Sequence, residues 1–571
     1  MRRSLLTHRT VLGALVALVA VAATWRTTRN FFAQDDVGIV IDDPRNKSMA
    51  TWDQFLDEAY WPAPYRRDLF RPLTSLLIAG EMQAGQGATI SFKVMQVAFY
   101  TASAIAVFAL ALRLLPPGAA LATGLLFAAH PVHVEATALA VTQAEVMVGL
   151  LAALAAAWYL DRRRSGWPTT REHAGLAAVT LIAANFKESG VMIPALLFAL
   201  EVFVLPGKWW ERWRELSRLV VWQTLAVVTT LALRARIPFE NAQGSFVAEA
   251  FDGMPIGSRF LTMLSVVPEW FRLMLWPATL SADYGPQVIM PAEGWGLDQT
   301  IGLAILVLVG ALAWRLRRRA PVLTFGVAWC AIGLFPVSNV IIPTGIPLAE
   351  RTLFLPSIGA MLAVGAFLAG LPAAFPARRE LVTRVTAAGV ALVAVLGISR
   401  SMARHASWRN SHQIWAQTVI DVPDSYRARV AFGTLLYKGG YQDRAIYSYE
   451  QALALWDKVS GPNWQLAEWY RARGDCGRAI PVYMRTLELT EFAPARSSLI
   501  ACLAWVGRYA EAKRYAFDGV GSDTYAALFR IWYRTVDSAL KVNAPAGTVV
   551  FPTARNANLF TDTPDTVRAE R

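Results

Sequence analysis

Apolar stretches of helical length, separated by short polar connections, fill the chain as far as residue 400. They lie at 11–25, 90–115, 118–130, 137–160, 174–186, 189–206, 218–235, 299–316, 321–342, 352–371 and 384–400, and the pattern predicts about eleven membrane-spanning helices. Two further apolar stretches do not fit it. Leu69–Met82 is short and is interrupted by Arg71-Pro72 and Glu81. Its fourteen residues rise only about 21 Å as a helix, less than a roughly 30 Å hydrocarbon core, so a helix lying in the interface is expected. Residues 259–280 are broken by Pro268, Glu269, Arg272 and Pro277, which predicts a re-entrant or interfacial segment. Beyond 400–410 the chain turns polar and repeats. Ala445, Ala479 and Ala512 recur about 34 residues apart, with Gly433 and Tyr449, Tyr470, Gly474 and Tyr483, and Leu503 and Gly507 at matching places. Small residues at this period are the tetratricopeptide pattern, since alanine lets two helices cross closely.

The expected architecture is therefore all-α: a polytopic helical bundle over 1–404, with a long polar connection at 26–89, then about three repeats of an α-solenoid over 405–520. An irregular extension follows over 521–571, disordered at Thr561–Arg571.

Composition agrees. Of 571 residues 55% are hydrophobic and 17% charged, and the mean hydropathy is +0.35, too apolar for a soluble chain of this length. The net charge of +13 would suggest nucleic acid in a soluble protein, but its placement between apolar segments explains it better, and no nucleic acid is expected. Much of it falls in Arg162–Arg164, Lys208–Arg218, Arg315–Arg319 and Arg378–Arg384, which alternation places together on one side. That is the cytoplasmic side by the positive-inside rule. The basic start (Arg2, Arg3, Arg9) then puts the N-terminus in the cytoplasm, with the first segment an uncleaved anchor despite the small-x-small site Ala20-Val21-Ala22. The first connection, His130–Glu135, Phe186–Glu188, residues 236–298, Thr344–Arg351 and the repeats fall outside. Cys330 lies in an apolar segment; Cys476 and Cys502, both in the tail, could pair in an oxidising compartment.

Charges near span ends carry the candidate chemistry, because an unpaired charge in a bilayer costs about 2.5–3.5 kcal/mol or more and so faces a cavity or a partner. On the expected outer side stand Asp35-Asp36, His130, His133, Glu135, Glu145, Lys187-Glu188, Asp283 and Glu350-Arg351. A carboxylate there can take a proton from a hydroxyl; Lys187 and Arg351 can hold a phosphate. The blander reading makes Asp35-Asp36 a solvated loop, Lys187-Glu188 and Glu350-Arg351 interfacial ion pairs under about 1 kcal/mol, and the histidines helix caps. No metal is expected, since His130, His133 and Glu135 lack a further ligand.

In this order the chain resembles the transmembrane and tetratricopeptide repeat (TMTC) proteins and their bacterial relatives, within the GT-C superfamily of polyprenyl-phosphate-sugar-dependent glycosyltransferases. The resemblance rests on Asp35-Asp36 with Ile41-Asp42-Asp43-Pro44, Phe70-Arg71-Pro72-Leu73-Thr74, His130 to Ala136, Ala144-Glu145 and Lys187-Glu188-Ser189-Gly190. It continues through Leu280 to Tyr284, Pro336 to Asn339, Ala349 to Ser357, and Trp408-Arg409-Asn410 with Trp415. Thr142-Gln143 stands where the family has Gly-Arg, the family's His and Asn are replaced near Lys93–Gln96, and the repeats are few. The resemblance implies a GT-C-like fold and an inverting transfer of a mannose-like hexose from a polyprenyl phosphate to a hydroxyl, a protein Ser or Thr first, on the extracytoplasmic side. It implies Asp36 as first choice of base with Asp35 next, Lys187 and Arg351 as donor-phosphate ligands, and His130, His133, Glu135, Glu145, Glu188, Asp283 and Glu350 in the pocket. It implies no cofactor, a divalent metal being known in some GT-C enzymes but not favoured here. The expected partners are the bilayer, the lipid-linked sugar, and an acceptor protein or glycan through the repeats. High Ala and Arg content points to the inner membrane of a bacterium, with the repeats periplasmic. The rival readings are a non-catalytic membrane scaffold and a lipid or solute transporter.

Overall fold

A computed structural model describes residues 2–63, 69–237, 248, 251, 253–285, 287–521 and 524–549; Asp68 and the expected disordered end Thr561–Arg571 lie outside them. Among the described residues there are helices and turns but no strands. The chain divides into two units, Met1–Tyr284 with Ile289–Gln417, and Gly285–Val288 with Thr418–Arg571.

All the predicted spans of the first unit are helical. Among the described residues seven helices are long and apolar enough to cross a membrane: Arg9–Arg29, Thr89–Leu114, Ala140–Ser165, Trp209–Ala235, Leu297–Leu316, Glu350–Ala374 and Pro376–Ser407. Pro117–Ala128, Thr170–Phe186, Ile193–Phe203 and Pro321–Leu334 are shorter, at 12, 17, 11 and 14 residues. Small side chains set how closely these helices meet. Ala104, Val107 and Ala111 of one helix and Val148, Ala152 and Ala156 of another are fully or almost fully buried in one cluster, as expected where dispersion and close approach hold membrane helices together.

The two awkward stretches are helices too. Pro72–Ala84 runs for 13 residues, starting at a proline whose missing N–H costs nothing at that position. Ile256–Leu275 continues straight through Pro268. Proline leaves the Leu264 carbonyl without its donor four residues on. Gly302 of the Leu297–Leu316 helix presses onto that carbonyl so closely that a Cβ would collide with it.

The segment expected as one span at 137–160 is broken. A short turn of helix, Val134–Ala138, ends at extended Leu139 (φ −105°, ψ 144°); the turn Ala140–Thr142 then leads into the Gln143–Ser165 helix. The break turns two backbone N–H groups toward the first connection.

In the second unit three antiparallel helix pairs follow one another: Tyr426–Lys438 with Gln442–Leu455, Ser460–Ala472 with Cys476–Leu489, and Ala493–Trp505 with Tyr509–Gly519. Each pair turns at a glycine with positive φ, namely Gly440 (85°), Gly474 (77°) and Gly507 (80°), the left-handed cap that glycine takes without steric cost. Ala445, Ala479 and Ala512 have no exposed surface. Cys476 and Cys502 form a disulfide with a Cα–Cα distance of 5.1 Å, joining the second pair to the third. Ala526–Lys541 closes the unit.

Candidate functional site

Asp35 and Asp36 lie on a turn entered through Gln34, whose φ is +51°. A non-glycine residue in this region is uncommon and strained. Here it sends the two adjacent carboxylates to different places. Asp36 points inward and is fully buried. Its Oδ2 accepts from the Ala140 N–H and its Oδ1 from the Val141 N–H, each at 3.0 Å. These are donors at a helix start, which favours an anion. The Lys93 ammonium, also fully buried, stands 3.7 Å away. Burial pushes the Asp36 carboxyl up, and Lys93 with the two N–H groups only partly opposes it.

Asp35 is half-buried, and among the described residues none donates a hydrogen bond to its carboxylate or pairs with it. It lies within electrostatic reach of Arg351 and of Tyr60. The first choice of base from sequence is thus buried, with one backbone N–H on each of its oxygens. Its neighbour has the free carboxylate.

Three cations, Arg351, Lys187 and Arg71, lie within electrostatic reach of one another, Arg351 within reach of Asp35 as well, and each is already matched to an acid. Arg351 Nη1 is 2.6 Å from Glu135 Oε1, and the Arg351 backbone N–H donates to Glu135 Oε2 at 2.8 Å. Lys187 pairs with Glu145. Arg71 Nη2 is 2.8 Å from Glu188 Oε2, its Nε 3.1 Å from the same oxygen, and its guanidinium lies 5.2 Å from the centre of the Tyr60 ring. Lys187 feels both Arg71 and Arg351: burial pushes its ammonium down, Glu145 opposes this, and the two arginines add to the fall. Burial pushes Glu188 up, but Arg71 and Lys187 outweigh it and leave the carboxyl below its ordinary value. The acids are the more buried partners of Arg351 and Lys187, with side-chain exposures of 2% for Glu135 and 4% for Glu145 against 21% and 14% for the cations. In the third pair the order is reversed, with Arg71 at 16% and Glu188 at 34%.

The remaining sequence candidates hold the scaffold. His130 Nδ1 accepts from the Val132 N–H at 3.3 Å, leaving Nε2–H to donate to the Met274 carbonyl at 2.9 Å. Burial takes its pKa down to about 4. His133 sits among Tyr100, Phe127 and Phe354, with Nδ1 2.9 Å from the Tyr100 hydroxyl and Nε2 2.8 Å from Ser357 Oγ. Burial holds it neutral as well. Glu350 accepts from the Ser281 N–H at 2.5 Å and the Tyr284 hydroxyl at 3.0 Å. Buried Asp283 belongs to that same loop, its N–H bonded to Ser281 Oγ at 3.1 Å.

Arg71 and Lys93 were not singled out as site residues from sequence. Arg71 was visible within the quoted Phe70-Arg71-Pro72 stretch. Lys93 is a lone charge inside an apolar helix, which is a functional signal in itself. It also donates to the Ala138 carbonyl, while Gln96 Nε2 reaches the Ala136 carbonyl at 2.7 Å, so one helix clamps the broken segment from below. Among the described residues no group of three or more His, Cys, Asp and Glu side chains converges as a metal site needs. The acids beside the site face cations instead, so no step below runs through a metal.

No family model matches the chain. It is similar to protein O-mannosyl-transferase TMTC3 of Mus musculus, 24% identical over 378 residues that cover 60% of this chain and 41% of the relative. Similarity extends to protein O-mannosyl-transferase TMTC4 of Homo sapiens, 24% identical over 375 residues, covering 59% and 49%. Protein O-mannosyl-transferase F38B6.6 of Caenorhabditis elegans is 20% identical over 436 residues, covering 74% and 60%. The chain thus spans about two-fifths to three-fifths of the length of these relatives.

Proposed function

Because the chain is TMTC-like, with an apolar helical bundle followed by helix-pair repeats, we propose that it is a membrane glycosyltransferase acting on protein hydroxyls. The donor in this reading is a polyprenyl-phosphate hexose, mannose first. The single observation that carries it is the half-buried Asp35 carboxylate, unpaired among the described residues and within electrostatic reach of Arg351, which together with Arg71 acts on Lys187.

Asp35 takes the proton of the acceptor hydroxyl as its oxygen attacks the anomeric carbon. The bond from that carbon to the phosphate oxygen breaks on the opposite face, and the electron pair leaves with the lipid phosphate. One in-line displacement inverts the anomeric centre. Charge grows on the phosphate as the bond breaks. Cations already fixed by Glu135, Glu145 and Glu188 meet it without reorganising, which is the efficient form of electrostatic catalysis. The bidentate fork of an arginine suits two phosphate oxygens better than a lysine does. Asp36 does not touch substrate; it ties the turn to the Ala140–Thr142 helix start.

The Cys476–Cys502 disulfide supports an extracytoplasmic tail, since such bonds persist in oxidising compartments. Basic connections on the opposite side support the same orientation. The composition favours a bacterial inner membrane. The test is label transfer by the full chain in nanodiscs, from radiolabelled polyprenyl-phosphate mannose or glucose, with membrane and periplasmic extract as acceptor source. Label on a protein supports the reading and names the acceptor. No transfer from either donor removes it.

A further inference from the structure

The turn that carries Asp35 is held on one side by Asp36. On its other side it is held by residues far along the chain, just past the end of the last long helix. The Phe31 N–H donates to the Arg409 carbonyl at 2.8 Å. Asn30 Nδ2 donates to the His405 carbonyl at 3.0 Å. The Gln34 N–H donates to Ser411 Oγ at 3.0 Å. The Arg409 guanidinium lies 5.9 Å from the centre of the Phe31 ring. Trp408, 1% exposed, packs into the cluster containing Ala33, Ile39 and Val40, which flank the turn on both sides. Every one of these contacts falls on residues 30–40, the stretch that sets where Asp35 points.

We propose that the segment Trp408–Ser411 is a positioning strap for the proposed base, and that Ser411 is its key residue. The inference rests on the reading of Asp35 as base. Gln34 is in the left-handed region, so its N–H points out of the turn and finds no carbonyl within it. The Ser411 hydroxyl takes up that N–H. The other two main-chain and amide contacts fix residues 30 and 31; within this segment the Ser411 bond is the one that acts on Gln34, the strained residue next to Asp35. The Gln34 carbonyl accepts from the Val37 N–H at 3.0 Å inside the turn. Losing it lets Gln34 relax out of the left-handed region, and Asp35 swings with it while Asp36 stays anchored. Ser411 opens the Ser411–Asp421 helix, and Asn410 Oδ1 accepts from the Gln413 N–H at 2.9 Å. The start of that helix is thus capped independently of Ser411, and changing Ser411 leaves the helix in place.

Ser411→Ala and Ser411→Thr in the full chain test the strap. The first readout is hydrogen–deuterium exchange of the peptide covering residues 30–42, which needs no substrate. Exchange in Ser411→Ala is expected to rise about 2–10-fold, the range for losing one hydrogen bond, and Ser411→Thr, which keeps a hydroxyl, is expected to restore the wild-type value. The second readout is transfer kinetics: kcat should fall by about the same factor with the KM for the lipid-linked donor unchanged, because Ser411 touches no donor ligand. Wild-type exchange in Ser411→Ala overturns the strap, whatever the transfer assay shows. Raised exchange with unchanged kcat in a transferring enzyme overturns the positioning role. Raised exchange in a protein that transfers nothing keeps the strap and removes only the glycosyltransferase reading.

Discussion

The Lys93 ammonium stands 3.7 Å from the Asp36 carboxylate, and neither side chain reaches solvent. Removing one partner leaves a buried charge uncompensated, which costs about 3–5 kcal/mol. Asp36→Ala and Lys93→Ala are therefore expected to lose folded protein, read as monodisperse yield on gel filtration in detergent. Asp36→Asn with Lys93→Met, which removes both charges, is expected to recover much of that yield. Equal yields for all of these variants would show that the pair holds nothing.

Arg351→Gln and Lys187→Gln, which leave the buried Glu135 and Glu145 a hydrogen-bond donor, are expected, at matched gel-filtration profile, to lower transfer by about 10²–10³, the range for removing one group that stabilises developing charge. The fall should appear mainly in kcat, since the cations act most on the departing phosphate. Arg71→Lys is expected to fall short of wild type, because an ammonium cannot reproduce the forked contact with Glu188. Steady-state kinetics with varied donor separate these effects; a change confined to donor KM would make the cations simple binding groups.

The hydrophobic pattern showed where the helices lie because membrane burial demands long apolar runs; every expected span contains a helix, though the one at 137–160 is broken. The repeats were equally legible, since Ala445, Ala479 and Ala512 repeat at a fixed period and all three are buried. The choice between Asp35 and Asp36 was not. Adjacent residues share every sequence-level property, and only the φ of Gln34 separates their directions. The break at Leu139 was hidden for a related reason: it is held by Asp36 over a hundred residues away. The pairings of Arg71 with Glu188 and Arg351 with Glu135 likewise join distant segments, whereas Lys93 was a visible anomaly in an apolar helix. His130 and His133, expected in the pocket, are buried and bonded to the Met274 carbonyl and to Ser357.

Glu81 gives a pH dependence of defined sign. Burial pushes its carboxyl up to about 7, with the Gln143 amide and Lys93 pulling it down and Asp36 adding to the rise. The folded chain then holds this proton more tightly than the unfolded chain. Its contribution to stability is fully present below about 4.5 and is lost as pH rises through about 7. The loss is about 3 kcal/mol. Glu81→Gln cannot ionise, so its Tm should gain on wild type steadily from pH 5 to pH 7.5 in thermal melts. A constant difference across that range would show that Glu81 titrates normally.

Of the three cysteines only Cys330 is free. Alkylation of denatured, unreduced protein isolated from its native membrane is expected to label one thiol per chain, and three after reduction. Closing a loop across 26 residues stabilises the tail by about 3 kcal/mol in the chain-entropy view, so Cys476→Ser should lower the melting temperature of the repeats. Three reactive thiols before reduction would place the tail in a reducing compartment and reverse the proposed orientation.

The account stands most directly on Asp35. Purified wild type and Asp35→Asn, matched for gel-filtration profile, would be given radiolabelled polyprenyl-phosphate mannose and the acceptor extract. The expected result is labelled protein with wild type and a rate lower by about 10²–10⁴ with Asp35→Asn, the range for losing a general base. Transfer by Asp35→Asn at the wild-type rate would contradict the assignment of the base.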